Sequence, residues 1–163
     1  MLALGGTRRH GGGMIYFEDL EVGAETYFGS YQVTRDEVLE FARKYDPQPF
    51  HLFDEAAART HFGRLAASGW HTCAMTMATI IRHFSETEPQ AGLGSPGVDE
   101  LRWLKPVYPG DTLHVGGRIV EKTPSRSRPE LGTFRTETTV TNQHDVPVLR
   151  FTSIVMIRRR PQE

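Results

Sequence analysis

The sequence predicts an α+β domain in which an antiparallel β-sheet wraps around one long central helix. Two observations predict this fold. Residues 70–84 are apolar or small at nearly every position, which is typical of a helix buried on most sides. Residues 98–157 then contain four stretches rich in apolar and β-branched residues, separated by turn-forming residues. Successive strands joined mostly by short connectors pair antiparallel, so these stretches predict one sheet.

Length and composition are those of a globular domain. The chain has 163 residues, of which 38% are hydrophobic and 24% charged, enough to bury a substantial core. Residues 1–13 are rich in glycine and have no hydrophobic periodicity. We therefore expect residues 1–13 to be a disordered tail and residues 14–163 to form a single domain.

Several features indicate the compartment and exclude some partners. The net charge of −1 gives no overall field that would attract nucleic acid or an anionic membrane. No apolar run reaches the roughly 18 residues of a membrane span, and residues 1–13 lack the apolar core of a signal peptide. The single cysteine, Cys73, excludes an intrachain disulfide. We expect a soluble cytoplasmic protein without a membrane or nucleic-acid partner.

The first half of the chain is predicted to hold a strand and three helices. Aromatic and β-branched residues indicate a strand over residues 25–33. Thr34 and Glu37 form the pattern of a capping box, which opens an amphipathic helix that must end before Pro47. A short helix with an acidic first turn is expected over residues 54–59. Ser68 is the expected N-cap of the central helix.

The second half is predicted to be a loop followed by the sheet. Two prolines and three glycines indicate a loop over residues 86–97. The apolar and β-branched stretches place the four strands at residues 98–107, 112–121, 131–141 and 146–157.

Residues 45–51 (YDPQPFH) carry the pattern that points most directly to chemistry. They place the carboxylate of Asp46 and the imidazole of His51 five positions apart, with two prolines between them. Because proline fixes its own φ and restricts the preceding residue, we expect a stiffened, extended loop and no helix here. An acid and a base held in fixed geometry suit proton transfer. The alternative is a proline-rich turn with a solvated Asp46 and a surface His51.

Residues 46–51, followed by the small Ala57, resemble the hydratase motif of the MaoC-like dehydratases, Asp-x-Asn-Pro-x-His with a small residue further on. Residues 67–72 (ASGWHT) are similar to the start of the family's central helix. Residues 100–111 are similar to its second strand and turn. The three signals occur in the family's order, and the resemblance spans residues 16–157. Gln48 stands where the motif more often has Asn, which puts the loop geometry in question.

The resemblance implies a hot-dog fold and a lyase of fatty acid metabolism, an enoyl-CoA hydratase or 3-hydroxyacyl dehydratase. Its reaction would be the (R)-specific hydration of trans-2-enoyl thioesters, or the reverse dehydration. It implies a homodimer or higher oligomer with sites near the subunit interface. We expect no metal and no cofactor other than coenzyme A as part of the acyl-CoA substrate.

The resemblance also implies roles for individual residues. Asp46 and His51 would be catalytic, handling the protons of water and of the substrate's Cα. The backbone N–H of Gly69, at a helix N-terminus, would stabilise the enolate oxygen. The remaining substrate-binding residues would be Ser68, Gln48 and Trp70.

Two other functions compete with this assignment. A hot-dog acyl-CoA thioesterase would need a carboxylate on the central helix or at its start, and residues 70–84 contain none. A non-catalytic acyl-thioester-binding protein would not need Asp46 and His51 together.

Other polar residues leave alternatives open. His61, His71 and His83 could form a metal set with His51, but no cysteine joins them and no His-x-x-x-His spacing occurs. His71 either lines the site or is a hydrogen-bonded core residue. Five arginines are either solvated or contact a coenzyme A phosphate. They are Arg126, Arg128, Arg158, Arg159 and Arg160.

Overall fold

A computed structural model describes residues 13–162 of the chain, and within them five strands form one antiparallel sheet. The strands are β1 (Glu25–Gln32), β2 (Gly97–Trp103), β3 (Thr112–Pro124), β4 (Leu131–Thr141) and β5 (Pro147–Arg158). They are ordered β1-β3-β4-β5-β2 across the sheet. Apart from Gly13, the predicted tail of residues 1–13 lies outside the described residues.

The predicted strands are confirmed, with one difference that bears on the site. The strand predicted over residues 98–107 ends at Trp103. Beyond it, the N–H groups of Leu104 and Lys105 both donate to the carbonyl of Val148, and the N–H of Ala67 donates to the carbonyl of Val107. Residues 104–107 therefore leave the sheet ladder and run beside the start of the central helix.

Four helices accompany the sheet: α1 (Arg35–Tyr45), α2 (Pro49–Leu52), α3 (Asp54–Ala58) and α4 (Gly69–Glu86). Thr34 caps α1, accepting a hydrogen bond from the N–H of Glu37 at 3.3 Å. The predicted capping box is only half formed. The Glu37 carboxylate accepts a hydrogen bond from the hydroxyl of Tyr31, 2.9 Å away, instead of reaching back to the cap.

The prediction that residues 45–51 contain no helix is wrong for the second half of that segment. Gln48 is extended, as its position before a proline requires, with φ −78° and ψ 142°. Pro49 then begins the short helix α2. A proline fits the first helical position because its φ is already helical and its missing N–H would have had no acceptor there. His51 consequently lies on a helical turn.

The long helix α4 packs against β1 and β3 and buries one face within the chain. On that face the hydroxyls of Thr76 and Thr79 donate to carbonyls one turn earlier, so burying them leaves no hydrogen bond unmade. The opposite side carries Trp70, Met77 and Ile81, which are 59%, 51% and 55% exposed. Burial on most sides, expected from the apolar sequence, is therefore not reached within a single chain.

The main core lies between the sheet, α1 and the buried face of α4. Its fully buried members include Val38 of α1, Met75 of α4 and Leu113 of β3. Among residues 13–162, no helix is both long and apolar enough to cross a membrane.

Candidate active site

Asp46 and His51 are brought together by the junction between α1 and α2. Asp46 is the C-cap of α1, and its N–H donates to the carbonyl of Ala42 at 3.0 Å. The extended Gln48 and the turn of α2 then direct His51 back toward α1. The Nε2 atom of His51 lies 3.5 Å from Oδ2 of Asp46. The stiffened geometry expected from the two prolines is thus achieved by a proline-initiated helical turn.

The His51 ring is held in a defined orientation. It is buried, 4% exposed, and its Nδ1 lies 2.8 Å from the carbonyl oxygen of Ala66. Because a carbonyl oxygen can only accept, Nδ1 carries a proton and donates it to this bond. In the neutral ring the lone pair is therefore on Nε2, the atom that faces Asp46. This arrangement leaves Nε2 free to accept a proton.

The Asp46 carboxylate receives a hydrogen bond on each oxygen. The hydroxyl of Ser68 donates to Oδ2 and the side-chain amide of Gln48 donates to Oδ1, both at 2.7 Å. Burial raises the pKa of Asp46, but these two hydrogen bonds and the nearby charge of His51 outweigh it and leave the pKa below its usual value. Asp46 is therefore ionised at neutral pH and available as a proton acceptor.

Ser68 and Gln48 were expected to contact substrate, and the structure places both side chains on Asp46. Ser68 is fully buried and stands at the N-cap position of α4, as predicted. Its hydroxyl makes no capping bond to the helix, because it is directed to the carboxylate instead. Sequence spacing cannot reveal this contact, since Asp46 and Ser68 are 22 positions apart.

A cavity of about 460 Å³ opens beside this group. Its buried walls include His51, Ala67, Thr72 and Val107. Its more exposed rim includes Trp70, Trp103, Leu104, His61 and Lys105. Asp46 also lines the cavity. A small molecule in the cavity would therefore meet both Asp46 and His51.

The N-terminus of α4 forms part of the cavity wall at Gly69. The first N–H groups of a helix have no acceptor within the helix, and the helix dipole places partial positive charge there. A Cβ atom on Gly69 would lie 2.6 Å from the indole ring of Trp103, so a side chain fits there only if the indole moves. Trp103 in turn packs edge to face on Trp70 with ring centroids 5.0 Å apart.

Trp103 is one of the cavity residues that sequence reasoning did not single out. Its position in a strand pattern indicated only sheet packing. Its contact with Gly69 joins β2 to α4 across 34 positions and has no local signature in the sequence.

His71 lies in the core and is not part of the cavity lining. Its ring stacks on Phe41 with centroids 4.7 Å apart and planes 8° from parallel. Burial lowers the pKa of His71, although Glu37 acts in the opposite direction, so the ring is neutral at neutral pH. Its Nδ1 has no hydrogen-bond partner in the part of the chain that the structure describes. The core position was predicted as one alternative, but the expected hydrogen bond is missing at this atom.

The candidate arginines do not line this cavity, and three of them are paired with carboxylates elsewhere. Arg159 and Arg160 form ion pairs with Glu18 and Asp19, at 2.9 Å and 2.7 Å. Arg128 is paired with Glu130. Over residues 13–162, no three His, Cys, Asp or Glu side chains come together in a way that could hold a metal ion.

Comparison with known proteins identifies the family. The family described as "MaoC like domain" matches residues 19–142, and this chain belongs to it. A MaoC-like dehydratase from Rhodospirillum rubrum is 40% identical, and its crystal structure aligns with a TM-score of 0.81 over 91% of this chain and 99% of that one. The hot-dog fold and the family resemblance predicted from the sequence are thereby confirmed.

Two sequence relatives cover most of the chain. The uncharacterized protein YdeM of Bacillus subtilis is 31% identical over 131 residues, which is 80% of this chain and 89% of YdeM. The 3-hydroxybutyryl-CoA dehydratase of Methylorubrum extorquens is 32% identical over 120 residues, which is 72% of each chain.

Proposed function

We propose that this protein adds water across the double bond of a trans-2-enoyl-CoA thioester, or removes water from the corresponding 3-hydroxyacyl-CoA. The observation that carries the proposal is the pair of proton acceptors, Asp46 Oδ2 and His51 Nε2, 3.5 Å apart in the wall of a cavity. Membership of the MaoC family supports the reaction class. The similarity to a 3-hydroxybutyryl-CoA dehydratase supports a coenzyme A thioester as substrate.

The pair suits the proton transfers of this reaction. Hydration breaks one O–H bond of water, forms a C–O bond at C3 and forms a C–H bond at C2. A water held between the ionised Asp46 and the Nε2 lone pair of His51 gives up a proton to one of them. The pair returns a proton to C2, so the protein ends the cycle unchanged. Positioned acid–base groups of this kind typically contribute about 10² to 10⁴-fold in rate.

The N-terminus of α4 suits the charge that develops between these two steps. When hydroxide character adds to C3, negative charge moves through C2 onto the thioester oxygen. The backbone N–H of Gly69 lies at a helix N-terminus in the cavity wall, where hydrogen bonding and the helix dipole both favour an anion. In this proposal Gly69 binds the thioester oxygen, and Trp70 and Trp103 flank the bound thioester.

A hydration assay tests the proposal directly. Short, medium and branched trans-2-enoyl-CoA thioesters are incubated with the protein, and the loss of conjugated enoyl-thioester absorbance is followed. We expect hydration of at least one of them, with (R)-3-hydroxyacyl-CoA as product. The folded variant Asp46→Asn serves as the matched control and is expected to be slower by about 10²-fold or more.

The same assay separates the competing functions. A thioesterase would release free coenzyme A, which a thiol reagent detects, without first consuming the double bond. A protein that only binds acyl thioesters would change neither signal. Either result with well-folded protein would refute the hydratase proposal.

A further inference from the structure

Gln48 is the residue at which this chain departs from the hydratase motif, and its side chain is directed to the Asp46 carboxylate. The amide Nε2 donates to Oδ1 at 2.7 Å, while the backbone N–H of Gln48 donates to the carbonyl of Asp46 at 2.8 Å. We propose that Gln48 is a positioning residue, whose amide fixes the plane of the Asp46 carboxylate so that Oδ2 faces His51. This inference rests on the proposed function and deepens it.

A single hydrogen bond would not fix this carboxylate. The terminal torsion of an Asp side chain is broad, so a carboxylate held at one oxygen can still rotate. Ser68 holds Oδ2 from the start of α4, and Gln48 holds Oδ1 from the α1–α2 junction. Two donors on different oxygens, supplied by different elements, define the plane. Oδ2 is then kept at the observed 3.5 Å from His51 Nε2.

The backbone on either side of Gln48 supports the same role. Gln48 lies between Pro47 and Pro49, and its extended conformation is set by the proline that follows it. The amide therefore projects from a segment with little freedom. An Asn at this position would carry the amide one carbon nearer the backbone, about 1.5 Å shorter in reach. With the longer side chain of this sequence, the amide reaches Oδ1 at 2.7 Å.

The amide also favours the ionised form of Asp46, because a donor stabilises the charged carboxylate. Among the described residues, His51 on α2 is the titratable group whose charge acts on Asp46. The other two polar contacts, Ser68 at the start of α4 and Gln48 itself, are neutral. Removing the amide donor therefore raises the pKa of Asp46 and moves the acid limb of the rate profile to higher pH.

The test compares two substitutions that keep the length of the side chain. Gln48→Met removes the donor and stays neutral, and Gln48→Glu removes the donor and adds a negative charge. Gln32→Met is the matched control, because Gln32 also donates through its side-chain amide, to Gly110, but lies outside the cavity lining. For each protein, kcat and KM are measured from about pH 3 to about pH 9 on the best enoyl-CoA thioester, a range that covers the ordinary pKa values of a carboxylate and an imidazole.

For Gln48→Met we expect kcat to fall about 3- to 10-fold, the net effect of losing one ordinary hydrogen bond, with KM nearly unchanged. The acid limb should move to higher pH, and further for Gln48→Glu. Gln32→Met should match the wild type. A raised KM with an unmoved acid limb would overturn the proposal and make Gln48 a substrate contact. An unchanged kcat and acid limb in both Gln48 variants would also overturn it.

A second measurement does not depend on activity. The side-chain carboxyl carbon of Asp46 is followed by NMR as a function of pH in protein labelled at aspartate carboxyls, with Asp46→Asn giving the assignment. A higher Asp46 pKa in Gln48→Met supports the proposal even if no enoyl thioester is hydrated, in which case only the proposed function fails. An unmoved pKa in a variant with a normal melting temperature refutes the positioning role.

Discussion

The Asp46–His51 pair shows how one junction can hold two proton acceptors at a fixed separation. The C-cap of α1 fixes Asp46, and the Nδ1 bond to Ala66 fixes the ring of His51. Ser68 and Gln48 donate hydrogen bonds to the carboxylate and favour its charged form, so Asp46 is ionised at neutral pH. In the proposed reaction Asp46 and His51 act on the same water, and the surrounding groups hold both side chains in place for it. Substitutions in the pair should therefore not act independently.

Our first prediction concerns the two single substitutions and their combination. Asp46→Asn keeps the shape but removes the acceptor, and His51→Ala removes the second one. Each should lower kcat/KM for an enoyl-CoA thioester by about 10²-fold or more. The double variant should be little worse than the poorer single, because groups that act as a unit are non-additive. Steady-state rates of the four proteins measure this.

Melting curves provide the control for that experiment. Neither side chain belongs to the main apolar core, so the variants should remain folded at assay temperature. Nearly normal activity in either folded single variant would show that the junction is structural.

The sequence identified the Asp46–His51 pair but not the residues that hold its side chains in place. Asp46 and His51 stand in one short motif, and their spacing together with the prolines was enough to single them out. The roles of Ser68 and Gln48 depend on where the start of α4 meets the end of α1, which no local pattern encodes. Trp103 could not be predicted for the same reason, because its neighbour Gly69 belongs to a different element.

At the scale of elements, the start of α4 depends on a close contact with the end of β2. Gly69 lies so near the Trp103 indole that an added methyl group would meet ring atoms at 2.6 Å. Trp103 is 45% exposed, so its ring can move away from the helix. The contact is therefore a constraint on the shape of the cavity more than on the stability of the core.

The second prediction is that Gly69→Ala displaces this indole. We expect a loss of about 1 kcal/mol of stability, the lower end of the cost of overpacking, and a larger relative loss in kcat/KM. In the background of Trp103→Ala the same substitution should cost little stability, because the clash is gone. Urea unfolding of the four proteins gives the coupling energy. Equal costs in both backgrounds would show that the contact does not matter.

The third prediction concerns a strained residue in β2. Glu100 has φ 55° within an irregularity of the β2–β5 pairing, a conformation that side chains with a Cβ disfavour by about 1–2 kcal/mol. Glycine would relieve that strain at a cost of about 0.5–1 kcal/mol in chain entropy. Glu100→Gly should therefore raise the free energy of unfolding by up to about 1.5 kcal/mol. Glu100→Ala keeps the Cβ and should bring no such gain. Equal stability of the two variants would contradict this account.

The elements themselves could be predicted where they are long and periodic. The boundaries of β4 were predicted to the residue, and α4 was predicted from its first residue. The four-residue α2 was missed because two prolines normally exclude a helix, yet one of them occupies the single helical position that suits it. The exit of residues 104–107 from the sheet depends on hydrogen bonds to β5 and to the segment before α4, which periodicity does not encode.

At the scale of the whole molecule, one face of the chain is apolar and uncovered. Trp70, Met77 and Ile81 form an exposed stripe along α4, about one or two helical turns apart. Trp70 contacts Trp103 at the end of β2, and β2 is an outer strand of the described sheet, with Val98 48% exposed. The stripe and this edge are therefore one continuous surface, which we call the α4–β2 face. It adjoins the rim of the cavity at both tryptophans.

The last prediction is that two copies of the chain associate through the α4–β2 face as an isologous dimer. Exposed sheet edges invite pairing, and a contiguous apolar face of this kind marks an association surface. Sedimentation at micromolar concentration should show twice the 18.4 kDa mass of the chain.

Met77→Asp places a charge in the centre of the face and should give monomers, because burying an unpaired carboxylate is costly. Val22→Asp, also exposed but outside the face, is the matched control and should remain dimeric. A wild-type species of 18.4 kDa under these conditions would refute the dimer, and loss of the dimer in both variants would refute its location.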